Sequence, residues 1–329
     1  MIRPCSSCLL ALLLATGCCK GIPGLGSSDG GASSSESPAA ASPESAPPVK
    51  FTDPPNGIFP PGAADKLIAK GAPAIVRLVE PGAEPRSPLR YSLSPGVASS
   101  DTAVDISSKA AAISIAMPRI TVSYDYAVAA RQGATWPVTA TLKATKVEGG
   151  SGPAAALSGV FRKQLKLLEG LTFAYQQDDR GRITGMKSSL ANKSSPEMAE
   201  IIRSITASQQ AMSLALPEEP IGKGGKWQII TRSPDSGMDL VQEVICTLTD
   251  RKGTNVVIDM AIRQFAGSDQ MTSAGKLSVI KSFTSSANQR LEGEMTAVIP
   301  KTLTMKQDYT MDTGQGAIVS TNKVNHTRR

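Results

Sequence analysis

The feature that most limits what this chain can fold into is a recurring alternation of apolar and polar residues with a period of two. Ile120, Val122, Tyr124, Tyr126 and Val128 alternate with Thr121, Ser123, Asp125 and Ala127. Val138, Ala140, Leu142 and Ala144 do the same against Thr139, Thr141, Lys143 and Thr145. The pattern returns at Val256, Ile258, Met260 and Ile262, and again at Leu303, Met305, Gln307, Tyr309 and Met311. In a strand, successive side chains point to opposite faces, so each run builds one buried and one wetter face. Such sheets are antiparallel. The segments 178–182 (Asp-Asp-Arg-Gly-Arg) and 250–254 (Asp-Arg-Lys-Gly-Thr) carry turn chemistry. They predict hairpins joining 171–177 to 183–188, and 244–249 to 255–262. A shorter strand is predicted at 73–79, ended by the turn residues Glu80-Pro-Gly-Ala-Glu-Pro85.

Two helices interrupt the strands, near 154–169 and 195–214. In the first, Leu157, Val160, Phe161, Leu165 and Leu168 share a face, and Gly170 is a natural stop. In the second, Ser194 or Ser195 caps, Pro196 opens the first turn, and Met198, Ile201, Ile202 and Ile205 form the apolar stripe before Pro217. The order is strands, helix, hairpin, helix, strands, without the strand–helix rhythm of a parallel sheet. The expected fold is therefore α+β and mainly β: a large curved antiparallel sheet with two helices packed on one face. Aromatic residues are only 4% of the 329, so the core must be built from Ala, Val, Ile, Leu and eleven Met.

The N-terminus carries an address. Arg3, the apolar stretch 9–15 and the small residues Thr16 and Gly17 have the layout of a secretory signal over 1–17. The stretch Leu14-Ala15-Thr16-Gly17-Cys18 resembles the lipobox of bacterial lipoproteins, with Ala15 where Leu is preferred. That resemblance implies acylation of the Cys18 thiol and cleavage before it. Each buried methylene of an acyl chain contributes about 0.8 kcal/mol to membrane attachment, so several chains hold firmly. Cys19 follows, where the sorting rule of that family places Asp for inner-membrane retention; its absence points to the outer membrane. Residues 18–57 are Gly, Ser, Ala, Pro and Glu with almost no large apolar residue, a composition that cannot offset ordering entropy. They are expected to be a disordered tether reaching on average roughly 30 Å. A single β-rich domain is expected over 58–329.

Chemistry is hard to find in that body. Four of the five cysteines lie within the first nineteen residues, leaving Cys246 alone, so no disulfide framework is available. Cys246 alternates with Val244 and Leu248 and is expected to be a buried small hydrophobe. The lone histidine, His326, is expected in a basic, unstructured tail; with one histidine, Ser-His-Asp, Cys-His and histidine-dependent metal sites are excluded. Ser273-Ala-Gly-Lys276 and Ser278-Val-Ile-Lys281 match Ser-x-x-Lys by letter, but that hydrolase motif needs a helix start, and Gly275 and the β-branched context oppose one. The carboxylate pairs Asp178-Asp179, Glu218-Glu219 and Glu292 with Glu294 sit at turns or on solvent faces. No catalytic residue, metal ligand or cofactor is assigned. A net charge of +7 comes without charge blocks or aromatic interleaving, so nucleic acid is not an expected partner.

Three phrases together resemble an uncharacterised family of secreted bacterial lipoproteins. They are Pro81-Gly-Ala-Glu-Pro-Arg-Ser-Pro-Leu-Arg-Tyr91, Leu168-Glu-Gly-Leu-Thr172, and Leu216-Pro-Glu-Glu-Pro-Ile-Gly-Lys-Gly-Gly-Lys-Trp227. The last is similar to that family's Leu-Pro-x-x-Pro-Val-Gly-x-Gly-x-x-Trp, with Ile221 for Val. The resemblance brings no activity and no catalytic residues. Two functions fit an exported, membrane-tethered, β-rich chain. One is a binding module holding an apolar ligand, such as an acyl chain, between sheet and helices. The other is a structural or interaction lipoprotein with a solid core that meets envelope proteins.

Overall fold

The computed structural model describes residues 51–110, 113–149, 153–190, 202, 206, 214–235, 237–273, 276–314 and 316–329. Cys18, the signal segment and most of the expected tether lie outside the described residues. In chain order the elements are a 3-10 turn at Pro55–Gly57, α1 (Ala63–Leu67), β1 (Ile75–Glu80), β2 (Gly96–Ala110), β3 (Ile113–Ala116), β4 (Arg119–Val128) and β5 (Thr135–Glu148). Then follow α2 (Pro153–Lys166), β6 (Thr172–Asp178), β7 (Ile183–Ser189), β8 (Lys226–Asp235), β9 (Met238–Lys252) and β10 (Asn255–Ser273). The chain continues with β11 (Lys276–Val279), β12 (Ser282–Glu294), β13 (Thr302–Asp312) and β14 (Ala317–Arg328).

All the strands belong to one 14-stranded sheet, ordered β1-β8-β9-β10-β12-β13-β14-β2-β4-β5-β6-β7, with β11 and β3 added to β10 and β2. Every pairing is antiparallel, and β1 and β7 are the open edges. The expected mainly β fold, a large curved antiparallel sheet, is what the chain forms, with α2 packed on one face. Both predicted hairpins are present, β6 with β7 and β9 with β10.

The connectivity divides the sheet into two halves. β1 and β8 to β14 form one, β2 to β7 the other, and they join at a single seam where β14 pairs with β2 from Ile318↔Ala110 to Arg328↔Ser100. Register carries one face continuously across that seam. Met260, Gln289, Met305, Val324 and Val104 are successive cross-strand partners. This is the inner face, and it holds the main cores. On β2 to β6 it packs Val104, Ile120, Val122, Leu142 and Phe173 against Phe161 and Leu165 of α2. On β8 to β10 it packs Trp227, Val244, Cys246, Leu248 and Ile258 beneath Leu89, Leu216 and Ile221 from coil segments.

Some expectations need correction. Val160 lies on the outer side of α2, 39% exposed, so the helix's apolar stripe is narrower than the sequence pattern implies. His326 is not in an unstructured tail: it sits in β14, opposite Thr102 of β2, and its Nδ1 is 2.9 Å from the Thr102 hydroxyl. Residues 51–57, within the expected tether, lie against the body. The Phe51 ring stacks on Phe265 at 5.1 Å, and Asp53 pairs with Arg263 at 2.6 Å. The segment 195–214 lies largely outside the described residues; Ile202 and Thr206 within it are helical, and Ile202 joins the α2 core.

The short helix α1 takes the opposite, outer face. Ala64 and Ile68 pack with Ile230 and Val241, whose side chains alternate away from the inner core. Arg232 fastens this cover. Its guanidinium, 2% exposed, donates two bonds to Asp239 (2.9 and 2.7 Å), one to Asp65 (2.8 Å) and one to the Ile68 carbonyl (2.8 Å). Burial works against the Asp239 charge, but the hydrogen bonds and charge of Arg232, with Lys70, hold its carboxyl below the usual range.

Candidate functional site: the inner face of the sheet

The inner face is banded. Toward one end of the strands, Met238, Leu240, Phe283, Tyr309, Met311 and Ile318 form an apolar cluster. Toward the other lie the two larger cores. Between them runs a row of buried and half-buried polar side chains. Gln264 Nε2 donates to Gln242 Oε1 at 2.9 Å, Gln307 Nε2 donates to Gln264 Oε1 at 2.9 Å, and Asn322 Nδ2 donates to Gln307 Oε1 at 3.2 Å. Ser285 donates to Gln264 Oε1 at 2.8 Å and accepts from Gln307 Nε2 at 3.1 Å. Across the seam, Ser320 and Ser108 share a hydrogen bond. These amides run head to tail over β9, β10, β13 and β14, so each side chain satisfies the next and little buried polarity is wasted. The chain of donors begins at Asn322, which is fully buried and whose Oδ1 accepts no hydrogen bond.

The inner face is not sealed evenly. Ile262, Leu303 and Met305 are half-buried, although Ile258, Met260 and Val324 beside them are core. Tyr126, also half-buried, touches both the α2 core and a smaller cluster of Leu93, Val128, Trp136 and Val138. Burial raises the phenols of Tyr91, Tyr124 and Tyr175, and pushes Tyr126 up to about 12, against a hydrogen bond with Ser100 that lowers it. These phenols stay neutral, presenting hydroxyls inside an otherwise apolar space. The Tyr124 hydroxyl has no hydrogen-bond partner among the described residues.

The phrases of residues 81–91 and 216–227 are brought together as a clasp over β8 and β9. Ala83 N donates to Lys223 O (2.9 Å), Gly222 N to Pro81 O (2.8 Å), and Ile221 N to Ser87 O (3.1 Å). Arg90 donates to the carbonyls of Pro217 (2.8 Å) and Glu218 (2.6 Å), and the buried Trp227 indole donates to Ala215 O at 2.9 Å. The glycines are there for approach: a Cβ on Gly222 would fall 1.8 Å from the Ala83 carbonyl oxygen. The third phrase sits across the seam. Gly170, at φ +87°, donates to Leu142 O at 2.8 Å, while Glu169 accepts from Thr145 N at 3.2 Å. In all three phrases polar groups serve backbone joints, while others, such as Glu218, Lys223 and Lys226, pair with charged side chains.

The remaining sequence candidates are dispersed. Cys246 is fully buried in the Trp227 core, and burial raises its thiol far from reactivity. Ser273 and Lys276 face each other where β10 and β11 pair, on strands and not a helix. Among the described residues no group of His, Cys, Asp and Glu could hold a metal ion, and no helix is long and apolar enough to cross a membrane. An open groove of about 700 Å³ does exist, but on the outer face, lined by Lys226, Asp259, Arg290, Lys306 and Lys323 among others. It is therefore not between sheet and helices, where an apolar ligand was expected.

No family model matches the sequence, and no curated protein matches it. Among solved structures, the chain is similar to one described as lipid–protein interactions in lipovitellin (10% identity, TM-score 0.40) over 72% of its own length. It spans about a quarter of that chain, 25%. It is also similar to an outer membrane channel from Pseudomonas putida F1 at 10% identity and TM-score 0.25, covering 73% of this chain and 97% of that one.

Proposed function

We propose that this chain is an exported envelope lipoprotein, held at a membrane, the outer membrane of the cell, through acyl groups on Cys18, and that the inner face of its sheet binds an apolar ligand such as an acyl chain. It belongs on this reading with the secreted lipoproteins that its three phrases resemble, and it is a binding protein without catalytic activity, cofactor or nucleic-acid partner. One observation carries the binding role: Ile262, Leu303 and Met305 stand half-covered on an apolar face, which also carries the neutral hydroxyls of Tyr124 and Tyr126 on β4. Apolar walls with a few convergent polar groups are the general character of small-molecule sites, and the methionine thioether adapts to varied apolar shapes. A second reading, a structural lipoprotein with a solid core that meets envelope proteins, is favoured by the position of the 700 Å³ groove on the other face.

Native mass spectrometry of protein purified from its own envelope separates them. Co-purified lipid is the expected result; a bare mass leaves the structural reading. The anchor is tested independently, because Cys18→Ser should move the protein from the membrane fraction to the soluble one. Unchanged membrane retention would end that part of the proposal.

A further inference from the structure

We propose that the outer-face groove seats the phosphate of an anionic lipid headgroup, so that the body docks on the membrane surface by this face. The proposal does not depend on a ligand inside the sheet; its choice of a membrane rests on the anchor proposed at Cys18.

Register places most of the groove's residues on the outer face, with Met260, Gln289 and Met305, which also border it, belonging to the inner face. Asp259, Arg290 and Thr304 are successive partners across β10, β12 and β13, and in the next row Ala261, Asn288, Lys306 and Lys323 run on into β14. Ile245 and Ala261 give it an apolar floor, while Asn288 and Thr304 offer hydrogen bonds. Four cationic side chains, Lys226, Arg290, Lys306 and Lys323, line it against one carboxylate, Asp259.

The pairing of Lys306 with Lys323 is the telling feature. They stand directly opposite each other across β13 and β14. Like charges so placed cost stability, and an anion set between them would turn that repulsion into attraction. The surrounding carboxylates do not close the site. Lys306 meets Asp308 at 3.1 Å, Arg290 meets Asp259 and Glu292 at 3.1 Å, Lys226 meets Glu80 at 3.0 Å, and Asp105, opposite Lys323, lies 3.8 Å from Arg119. These pairs are solvent-exposed and exchange cheaply. A phosphate, with several strong acceptor oxygens, can take bonds from two lysines and an amide at once.

The path of the chain selects a membrane as the source of that phosphate. Phe51 and Asp53 lie on this same outer face, held by Arg263 and Phe265 of β10. Arg263 is one pleat beyond Ala261 in the groove floor. Phe51, which 50 residues precede in the sequence, therefore lies at the groove's margin. A tether anchored at its far end would bring this face toward the bilayer.

The test uses the full chain carrying Cys18→Ser, so that acylation contributes nothing, with phosphatidylcholine vesicles that contain or lack phosphatidylglycerol. Co-sedimentation is expected only with phosphatidylglycerol, weakening as salt rises. Adding Lys306→Gln and Lys323→Gln should lower the vesicle-bound fraction several-fold. The melting temperature should hold or rise, since a repulsive pair is removed. Equal binding to both vesicle types, no binding to either, or binding indifferent to the two substitutions would overturn the proposal. So would saturable binding of inorganic phosphate by a protein that ignores the vesicles. If the double variant fails to fold, each single substitution carries the same expectation at smaller size.

Discussion

The two halves of the sheet bury the same kind of inner face and cover it by opposite means. On β8 to β10 the lid is coil, fixed by backbone bonds between 81–91 and 216–227 and by glycines that leave no room for a Cβ. On β4 and β5 the lid is α2, which presents an apolar stripe and packs on the strands through side chains such as Phe161 and Leu165. A coil lid has to satisfy its polar backbone groups one by one, so its sequence is a rigid phrase. A helix has already done so internally and needs only the right periodicity. The first half should therefore be sensitive to single, specific residues, and the second to volume.

The sharpest way to break this contrast is Trp227→Ala. It empties the centre of the coil-covered core and removes the indole bond to Ala215, with an expected loss of about 4 kcal/mol, read from denaturant unfolding. Leu165→Ala in the helix-covered core should cost less, about 3 kcal/mol, because α2 can settle toward the strands. Val160→Lys on the same helix should stay within about 0.5 kcal/mol, since that side chain faces water. Equal sensitivity at Trp227 and Val160 would dissolve the distinction. The smallest effect belongs to the seam. Burial, opposed by the Pro300 carbonyl and Asp101, lowers the His326 pKa below its ordinary value. The unfolded chain therefore takes up the proton more readily, so stability is complete above the ordinary histidine range and falls as pH drops through it. Thermal unfolding at pH 7 and pH 5 should show this fall in the wild type and a shallower one in His326→Asn.

Much of this was legible in the sequence, and the exceptions share a cause. Strands with one apolar face announced themselves by period, as at Ile120 to Val128. Cys246 was readable as core for the same reason. β14 was not, because its inner-facing residues are Ile318, Ser320, Asn322, Val324 and His326. The polar band replaces the apolar beat with Ser and Asn, and a buried amide looks in sequence like a solvated one. Gln307 was the available hint, a lone amide within an apolar series. The strand order was also hidden. Period says which face is buried, but pairing β14 with β2 is decided by contacts some two hundred residues apart, such as Ser108 with Ser320. The outer groove escaped for a related reason: Arg290, Lys306 and Lys323 come from three strands and form no run.

That β14–β2 seam also sets an order of events. Apart from β1, which pairs with the distant β8, each half can build itself from near neighbours, through hairpins such as β6–β7 and β9–β10. The seam cannot form until a loop of 212 residues closes between Ser108 and Ser320. Loop closure of that length is slow, and folding dominated by distant pairings is slow with it. Until then β2 and β14 each carry an unsatisfied backbone edge, the kind of edge that recruits strands from other molecules. The step most exposed to aggregation is thus the late meeting of two half-sheets, and a chaperone that shields those two edges would act where this protein is most vulnerable.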